Sequence, residues 1–325
     1  MKLPRRQFLH LAAGAAALPF APHVARAQAY PSRPIRWIVG FTPGGATDII
    51  ARLMGQWLSE RLGQSVIIEN RPGAGSNIAA EAVVRAPPDG YTLLLVGPAN
   101  AVNATLYHNL NFNFIRDITP VASISREPLV AIVNPSVPVR TIPDLIAHAK
   151  AHPGKLNMAS SGIGTSVHVA GELFKMMTGI NMVHVPYRGA APAITDLIAG
   201  QMQVMFATLP SSIEYVRTSK LRGLAVTTAQ RTPALPELPT VGDVLAGYEA
   251  SAVYGVGAPP NTPPEIVNRL NREINAGLAD SNMKARLAEL GGTAQPGSPA
   301  DFGKLIASET EKWAKVVKFS GAKPD

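Results

Sequence analysis

Two glycine-rich loops with hydroxyl side chains are the segments of this 325-residue sequence whose residue types could do chemistry. The first is FTPGG at residues 41–45, and the second is SSGIGTS at residues 160–166. Each follows an apolar run and precedes an amphipathic stretch, so each is expected to join a strand to a helix. Glycines let backbone N–H groups approach a ligand closely, and the helix N-terminus that follows favours negative charge. The pair predicts an anion site, although tight turns and helix caps without a ligand would produce the same loops.

Asp48 and the segment Tyr187-Arg188-Gly189 place charged groups near these loops. Asp48 could accept a hydrogen bond from the ligand or stabilise the start of its own helix, and the second role is the favoured interpretation. Tyr187 and Arg188 follow a predicted strand and could bring a phenol and a guanidinium to the ligand. A solvated loop arginine is the more common origin of such a segment.

Other kinds of chemistry lack the residues they need. The absence of cysteine excludes disulfides, thiol nucleophiles, iron–sulfur clusters and a lipid anchor on cysteine. Neither a dinucleotide fingerprint nor a P-loop occurs at the first loop. Ser161 and His168 could be cast with an aspartate as a hydrolase triad, but the sequence has no G-x-S-x-G elbow and no zinc-ligand histidine spacing. We therefore expect no catalytic residue, no cofactor and no metal.

The first 27 residues have the pattern of an export signal. A basic start is followed by an alanine-rich apolar stretch and by Ala25-Arg26-Ala27, which predicts cleavage near Ala27. The segment RRQFL at residues 5–9 resembles a twin-arginine motif, and the general secretion route stays open. The formal charge is +8, from 30 basic and 22 acidic residues, and the signal carries four of the basic ones. Without the signal the mature chain has a net charge of +4 and no block of like charges, which argues against nucleic-acid binding. We expect a mature periplasmic protein without a lipid anchor.

Alternating short apolar runs and amphipathic stretches predict an α/β fold. Predicted strands cover residues 35–41, 65–69, 91–96, 129–133, 156–159, 182–185, 204–206 and 223–227. Predicted helices cover a stripe from Ile49 to Leu58 that stops at Gly63, and residues 78–85, 142–151, 165–177, 191–199, 211–219, 266–278, 283–290 and 302–319. The last three helices are expected to pack on the first sheet without a strand of their own. The pattern predicts two lobes, residues 28–128 plus 254–325 and residues 129–253, each a mainly parallel sheet flanked by helices. Ligands of such folds bind beyond the carboxyl ends of the strands.

A series of short motifs, in a characteristic order, resembles the substrate-binding receptors of tripartite tricarboxylate transporters, the Bug or TctC-type family. These motifs are YPSRPI at 30–35, FTPGGATD at 41–48, ENRPGAG at 69–75, PDGYTL at 88–93, VPYRG at 185–189, LPELPTV at 235–241 and GAKPD at 321–325. The resemblance spans essentially the whole mature chain. It implies a type II-like periplasmic binding protein, whose two lobes close on a small organic carboxylate like a flytrap, and which delivers it to the membrane subunits of the transporter. It also implies a monomer without catalytic residues.

The resemblance further implies a set of ligand-binding residues. In the family, the loops hold one carboxylate largely through backbone N–H groups, hydroxyls and ordered water. The corresponding residues of this chain are Phe41, Thr42, Gly44, Gly45, Asp48, Ala99 and Asn100 in the first lobe, and Ser160, Ser161, Gly162, Thr165, His168, Tyr187, Arg188 and Gly189 in the second.

One position departs from the family pattern. Ala207-Thr208 follows the strand at 204–206, where the family commonly has Asp-Asn. The substitution removes a charged acceptor near the site, so we expect Ala207 to face a less polar or purely anionic ligand rather than one with an amino group. Two functional alternatives remain open: a sensor subunit that docks a signalling kinase, and, less favoured, an exported hydrolase that would depend on Ser161.

Overall fold

Ten strands form one hydrogen-bonded sheet within residues 30–324, the part of the chain that the computed structural model describes. The order of eight of them is β2-β1-β3-β9-β4-β7-β5-β6. The other two, β8 and β10, each pair with β4. The strands are β1 (Ile35–Val39), β2 (Val66–Asn70), β3 (Thr92–Val96), β4 (Thr119–Val133), β5 (Asn157–Ser160), β6 (Val183–Pro186), β7 (Val204–Thr208), β8 (Arg222–Val226), β9 (Ser251–Ala258) and β10 (Thr293–Ala294). The predicted export signal lies outside the described residues.

Eleven α-helices within the same residues cover the sheet. They are α1 (Ala46–Leu62), α2 (Asn77–Val84), α3 (Pro98–Leu106), α4 (Phe114–Asp117), α5 (Ile142–Ala151), α6 (Ser166–Thr178), α7 (Ala190–Ile198), α8 (Leu209–Arg217), α9 (Pro264–Ala279), α10 (Ser281–Glu289) and α11 (Pro299–Ser320). Short 3₁₀ turns occur at Ala74–Ser76 and Val241–Asp243. The α/β fold class is confirmed, and α9 and α11 pack on β4.

Strand β4 joins the two halves of the sheet. Its first part, Thr119 to Pro128, pairs antiparallel with β9, and its last five residues, Leu129 to Val133, pair antiparallel with β7 and β8. The β1–β2, β1–β3, β5–β6 and β5–β7 pairs are parallel. Each half is therefore a group of parallel strands with helical crossovers, completed by antiparallel strands at the junction.

The first part of β4 and the whole of β9 were not predicted as strands. Residues 119–128 contain Pro120 and Pro128 together with charged residues, which weaken a strand pattern. Strand β9 contains Gly255 and Gly257, whose lack of side chains likewise weakens the pattern. A Cβ at Gly255 would overlap the ring of Phe302, so this glycine admits the close packing of α11 onto the strand. The expectation that the C-terminal helices have no strand of their own was wrong, because β10 lies between α10 and α11 and pairs with β4.

Helix α1 shows how local sequence fixes the element that carries the first loop. Its apolar stripe buries Ile50, Met54 and Leu58, each at most 1% exposed. Gly63 ends the helix in the left-handed conformation at φ 66°, with its N–H donated to the carbonyl oxygen of Ser59. The predicted stop at Gly63 is thereby confirmed, and the buried stripe packs α1 on β1 and β2.

Candidate ligand-binding site

Five helix N-termini meet around one cavity between the two halves of the sheet. Helices α1, α3, α6, α7 and α8 each begin at or shortly after the carboxyl end of a strand, with the N-cap residues Gly45, Gly97, Thr165, Gly189 and Thr208. The cavity contains about 390 Å³ of empty space, including its opening to solvent. Its lining residues are Phe41, Gly45, Ala46, Thr47, Pro98, Ala99, Ser161, Thr165, Ser166, Ala190, Thr208 and Tyr254. We call this space the N-terminal cavity.

The lining of the N-terminal cavity contains no charged side chain. The first N–H groups of a helix have no partner within the helix, and the helix dipole makes that end positive. The lining also offers the hydroxyls of Ser161, Ser166 and Tyr254. Burial raises the pKa of Tyr254 above its ordinary value, so its phenol is neutral and can donate a hydrogen bond. Such a cavity suits a small anion that is held by backbone dipoles and hydroxyls.

Asp48 stabilises the first loop from behind the cavity lining. Its carboxylate, 4% exposed, accepts hydrogen bonds from the Gly44 N–H (3.0 Å), Arg52 Nε (3.0 Å) and Asn70 Nδ2 (3.0 Å). Burial alone would raise the pKa of Asp48, but the bonds from Arg52, Gly44 and Asn70 outweigh it and hold the pKa below its usual value. The carboxylate is thus committed to its own loop and helix.

The second loop is held by its own side chains and by two histidines. Ser160 Oγ accepts the Gly162 N–H (3.2 Å) and lies 2.7 Å from His184 Nε2. Thr165 caps α6 by accepting the His168 N–H (3.3 Å), and its hydroxyl donates to the carbonyl oxygen of Gly162 (2.7 Å). The loop therefore presents Ser161, Gly162 and the start of α6 in a fixed arrangement.

Small residues let the first loop contact the start of α7 across the cavity. Gly189, at φ 143°, lies so close to Thr42 that an added Cβ would overlap the Thr42 hydroxyl. Gly44 faces Ala191 and Gly45 faces Ala190, each with room for ordinary van der Waals contact. The first loop thus rests directly on the N-terminus of α7.

A second cavity adjoins the first and shares Phe41 and Ser161 with it. Its lining includes Gly162, Tyr187 and Arg188, and Arg188 is the one charged side chain in that lining. The Tyr187 hydroxyl donates to Asp196 Oδ2 (2.6 Å), and burial together with this bond raises the pKa of Tyr187 to about 12. The phenol is therefore neutral and fixed to α7.

The residues expected to bind a ligand divide into two groups by position. One group lines the N-terminal cavity or the adjoining one: Phe41, Gly45, Ala99, Ser161, Gly162, Thr165, Tyr187 and Arg188. The other group lines neither cavity: Thr42, Gly44, Asp48, Asn100, Ser160, His168, Gly189 and Ala207. Ala207 is fully buried in β7. The Asn100 side chain is 2% exposed, and its Oδ1 accepts the Gly97 N–H (2.9 Å) at the start of α3.

Sequence analysis missed several lining residues, chiefly Thr208, Ser166, Pro98 and Tyr254. Thr208 and Pro98 carried a usable signal, because a threonine or a proline at the end of an apolar run marks a helix start. Tyr254 carried none, because β9 was not predicted to be a strand.

Two further properties of the described residues bear on function. Residues 30–324 contain no group of three or more histidine, aspartate or glutamate side chains placed to hold a metal ion. Across the same residues, no helix combines the length and the apolar character needed to span a membrane.

Comparison with known proteins agrees with the sequence resemblance. The chain matches the family model described as "Tripartite tricarboxylate transporter family receptor" over residues 50–321. It is 36% identical over 300 residues to Protein BugT of Bordetella pertussis, covering 91% of this chain and 92% of that protein. Among solved structures it is similar to R. palustris Rpa4515 with adipate, at TM-score 0.88 and 40% identity, over 90% of this chain and 98% of the other. MatC (Rpa3494) from Rhodopseudomonas palustris with bound malate aligns at TM-score 0.84 and 29% identity, over 89% and 100% of the two chains.

The family match covers well over half of the chain, and the similarity to relatives above 30% identity extends over nine tenths of it. The resemblance predicted from the short motifs is thereby confirmed. This chain belongs to the receptor family of the tripartite tricarboxylate transporters.

Proposed function

We propose that this protein is a periplasmic receptor that captures a small organic carboxylate in the N-terminal cavity and delivers it to the membrane subunits of a tripartite tricarboxylate transporter. The observation that carries the proposal is the convergence of five helix N-termini on a cavity whose lining has no charged side chain. A cation would be repelled by such a site, whereas a carboxylate complements it.

The energetics fit a receptor that must also release its ligand. A hydrogen bond to a charged group contributes about 1.5–3 kcal/mol. Three or four such bonds would supply most of the roughly 8 kcal/mol that micromolar affinity requires. Exclusion of water from the cavity strengthens each of them.

Both loops take part in the proposed site. We propose that the predicted residues lining the two cavities contact the ligand, with Thr208, Ser166 and Tyr254 added from the cavity lining, and that the predicted residues behind the lining shape the loops. Among the described residues, Thr42 Oγ1 and Asn100 Nδ2 are buried polar atoms without a hydrogen-bond partner. A buried donor or acceptor of this kind is normally satisfied. A water molecule behind the lining would satisfy them and could pass a hydrogen bond on to the ligand.

The nature of the bound solute follows from the relatives and from Ala207-Thr208. The two solved structures carry adipate and malate, each of which has two carboxylates. Thr208 lines the cavity here, and its hydroxyl is paired with Ser211 Oγ at 2.8 Å. With no carboxylate in the lining to receive an ammonium group, a purely anionic solute fits better than an amino acid.

The lobes, the export route and the lack of catalysis belong to the same proposal. We propose lobes of residues 28–128 plus 254–325 and 129–253, supported by the change of strand partners within β4 at Pro128 and Leu129. Export would remove the signal near Ala27 and leave a monomer free in the periplasm. The site would bind without reaction, because His168 is engaged by Gly164 and His184 by Ser160, so neither is placed to activate Ser161.

A thermal-shift screen of the ligand-free mature protein tests the proposal. The panel is adipate, malate, citrate, benzoate and glutamate, with adipamide as the uncharged counterpart of adipate. A ligand at 100 times its Kd stabilises the folded state by about 2.7 kcal/mol, which raises Tm by several degrees in a protein of this size. We expect at least one carboxylate to give this rise and adipamide to give none. A panel in which no anion raises Tm would contradict the proposed function.

A further inference from the structure

Two histidines behind the second loop are in ring contact, one of them buried and the other partly buried. His168, the third residue of α6, is 3% exposed, and its ring stacks on that of His184 in β6 with centroids 4.1 Å apart. We call His168 and His184 the histidine pair. Neither ring is part of the lining of the N-terminal cavity or of the adjoining one.

Each ring holds a different backbone amide of the second loop. His168 Nδ1 accepts the Gly164 N–H directly at 3.1 Å. His184 Nε2 lies 2.7 Å from Ser160 Oγ, and that oxygen accepts the Gly162 N–H at 3.2 Å. Gly162 itself and the neighbouring residues Ser161 and Thr165 line the cavities. The shape of the loop therefore depends on the histidine pair.

The bond to Gly164 fixes the protonation state of His168. Since Nδ1 accepts an N–H, it carries no proton, and a neutral ring carries its proton on Nε2. A protonated ring would present an N–H to the Gly164 N–H and lose the bond. A carboxylate in place of the imidazole could accept the same amide, but its negative charge would repel an anionic ligand. A neutral imidazole is thus suited to shape a loop that binds anions.

The surroundings keep the pair neutral. Burial, with the charges of His184 and Lys175, lowers the pKa of His168 to about 3. Burial and Lys175 lower that of His184 to about 4. Glu172 is the one carboxylate facing the pair among the described contacts, 3.9 Å from His168 Nε2, and it is engaged by Lys175 at 2.8 Å. The positive end of α6 also disfavours a charge on His168.

We propose that the neutral histidine pair positions the second loop for the carboxylate, with His168 acting through Gly164 and His184 acting through Ser160 and Gly162. This inference rests on the proposed function for its consequence in binding, but the arrangement of the loop can be measured without any ligand. His168 and His184 are positioning residues, since they lie behind the lining and act through the backbone.

Hydrogen exchange of the ligand-free protein tests the positioning directly. His168→Leu removes the acceptor, whereas His168→Asn places an amide oxygen near the position of Nδ1. We expect the Gly164 amide to exchange about tenfold faster in the leucine variant, the effect of one lost hydrogen bond, and at nearly the wild-type rate in the asparagine variant. The control is His148→Leu, which disrupts the His148–His152 ring contact on α5, away from the loop. Unchanged exchange at Gly164 in His168→Leu would overturn the proposal.

Titration with adipate then separates this inference from the proposed function. We expect the Kd for adipate to rise about tenfold in His168→Leu, with recovery in His168→Asn and no change in His148→Leu. In wild type, affinity should fall as the pH drops toward 4, where about half of His184 is protonated. Adipate itself also gains protons in this range, which weakens binding to both proteins. The double variant His168→Asn/His184→Gln should therefore lose less affinity than wild type over the same pH range. Equal Kd values for wild type and His168→Leu would overturn the inference.

A different pair of results would separate the two proposals. If the Gly164 amide exchanges faster in His168→Leu but the wild-type protein binds no carboxylate, the proposed function is overturned and the positioning role remains supported.

Discussion

Gly189→Ala is expected to weaken carboxylate binding by about a hundredfold. The added Cβ would overlap the hydroxyl of Thr42, so the first loop could no longer rest on the start of α7. Forcing an extra methyl group into a close contact costs roughly 1–3 kcal/mol, and a loss of about 2.7 kcal/mol in the closed state is a factor of a hundred in Kd. The measurement is calorimetric titration with the carboxylate of the panel that gives the largest thermal shift.

Two further variants separate the overlap from backbone strain. Gly179→Ala is the control for a glycine outside the site: Gly179 also has a positive φ, 67°, in the less strained left-handed helical region, and an added Cβ there meets no atom within 4 Å. It should reduce stability modestly and leave Kd unchanged. Thr42→Ala removes the overlapping hydroxyl, so Gly189→Ala should cost much less affinity in that background than in wild type. An equal loss in both backgrounds would show that the contact between Thr42 and Gly189 is not the cause.

Glu127→Gln is expected to raise the free energy of unfolding at pH 8 by roughly 3 kcal/mol. Glu127 lies in β4 beside Pro128, fully buried, and neither carboxylate oxygen has a hydrogen-bond partner. Gly292 packs so closely that an added Cβ would overlap the carboxylate. Burial raises the pKa of Glu127 to about 7, from a reference value of 4.5. The folded protein therefore favours the neutral acid.

The pH dependence of this effect has a definite sign. The unfolded chain releases the Glu127 proton near pH 4.5, whereas the folded protein keeps it up to about pH 7. The contribution of the neutral acid to stability is fully present below pH 4.5 and is lost as the pH rises to about 7. Glutamine stays neutral throughout, so the variant should match wild type near pH 4.5 and exceed it at pH 8. Urea unfolding at the two pH values measures both differences.

Glu273→Gln is the matched control for Glu127. Glu273 in α9 is also buried, at 6% exposed, but arginines surround its carboxylate: Arg61 at 3.2 Å, Arg269 at 3.4 Å and Arg272 at 3.9 Å. Removing one partner of a buried ion pair is destabilising, so this variant should lose stability at pH 8. The two substitutions are chemically identical and should have opposite signs. A loss of stability at pH 8 in Glu127→Gln would contradict the account of Glu127 as an unpaired buried acid.

Elements with strong periodicity and clear ends could be predicted from the sequence. Residues 142–151 were predicted as a helix and form α5 with the same bounds. The threonine before that helix, Thr141, accepts the Asp144 N–H in a capping box, which is a local signal. In contrast, the first part of β4 and the whole of β9 are defined by their mutual pairing, to which Pro120, Pro128 and Gly257 give no local signal. Tertiary contacts outweigh propensity in these strands.

The candidate site was predictable at the level of loops but not of side chains. Loop composition and position locate the cavity, because the carboxyl ends of neighbouring strands meet at one edge. The direction of a side chain depends on the exact start of each helix, which sequence reasoning fixes only to within a few residues. His168 therefore lies behind the loop that it was expected to accompany at the ligand, Asp48 bonds to its own loop and helix in line with its favoured interpretation, and Thr208 lies in the lining.

A crystal structure of the mature protein with its tightest-binding carboxylate tests the central claim most directly. The account predicts one carboxylate in the N-terminal cavity, with its oxygens within hydrogen-bond distance of backbone N–H groups at the starts of α1 and α6 or α7. It also predicts no charged side chain in contact with that carboxylate. Density for the ligand in another cavity, or a carboxylate held by Arg188 without any helix N-terminus, would contradict the claim that backbone dipoles hold the anion.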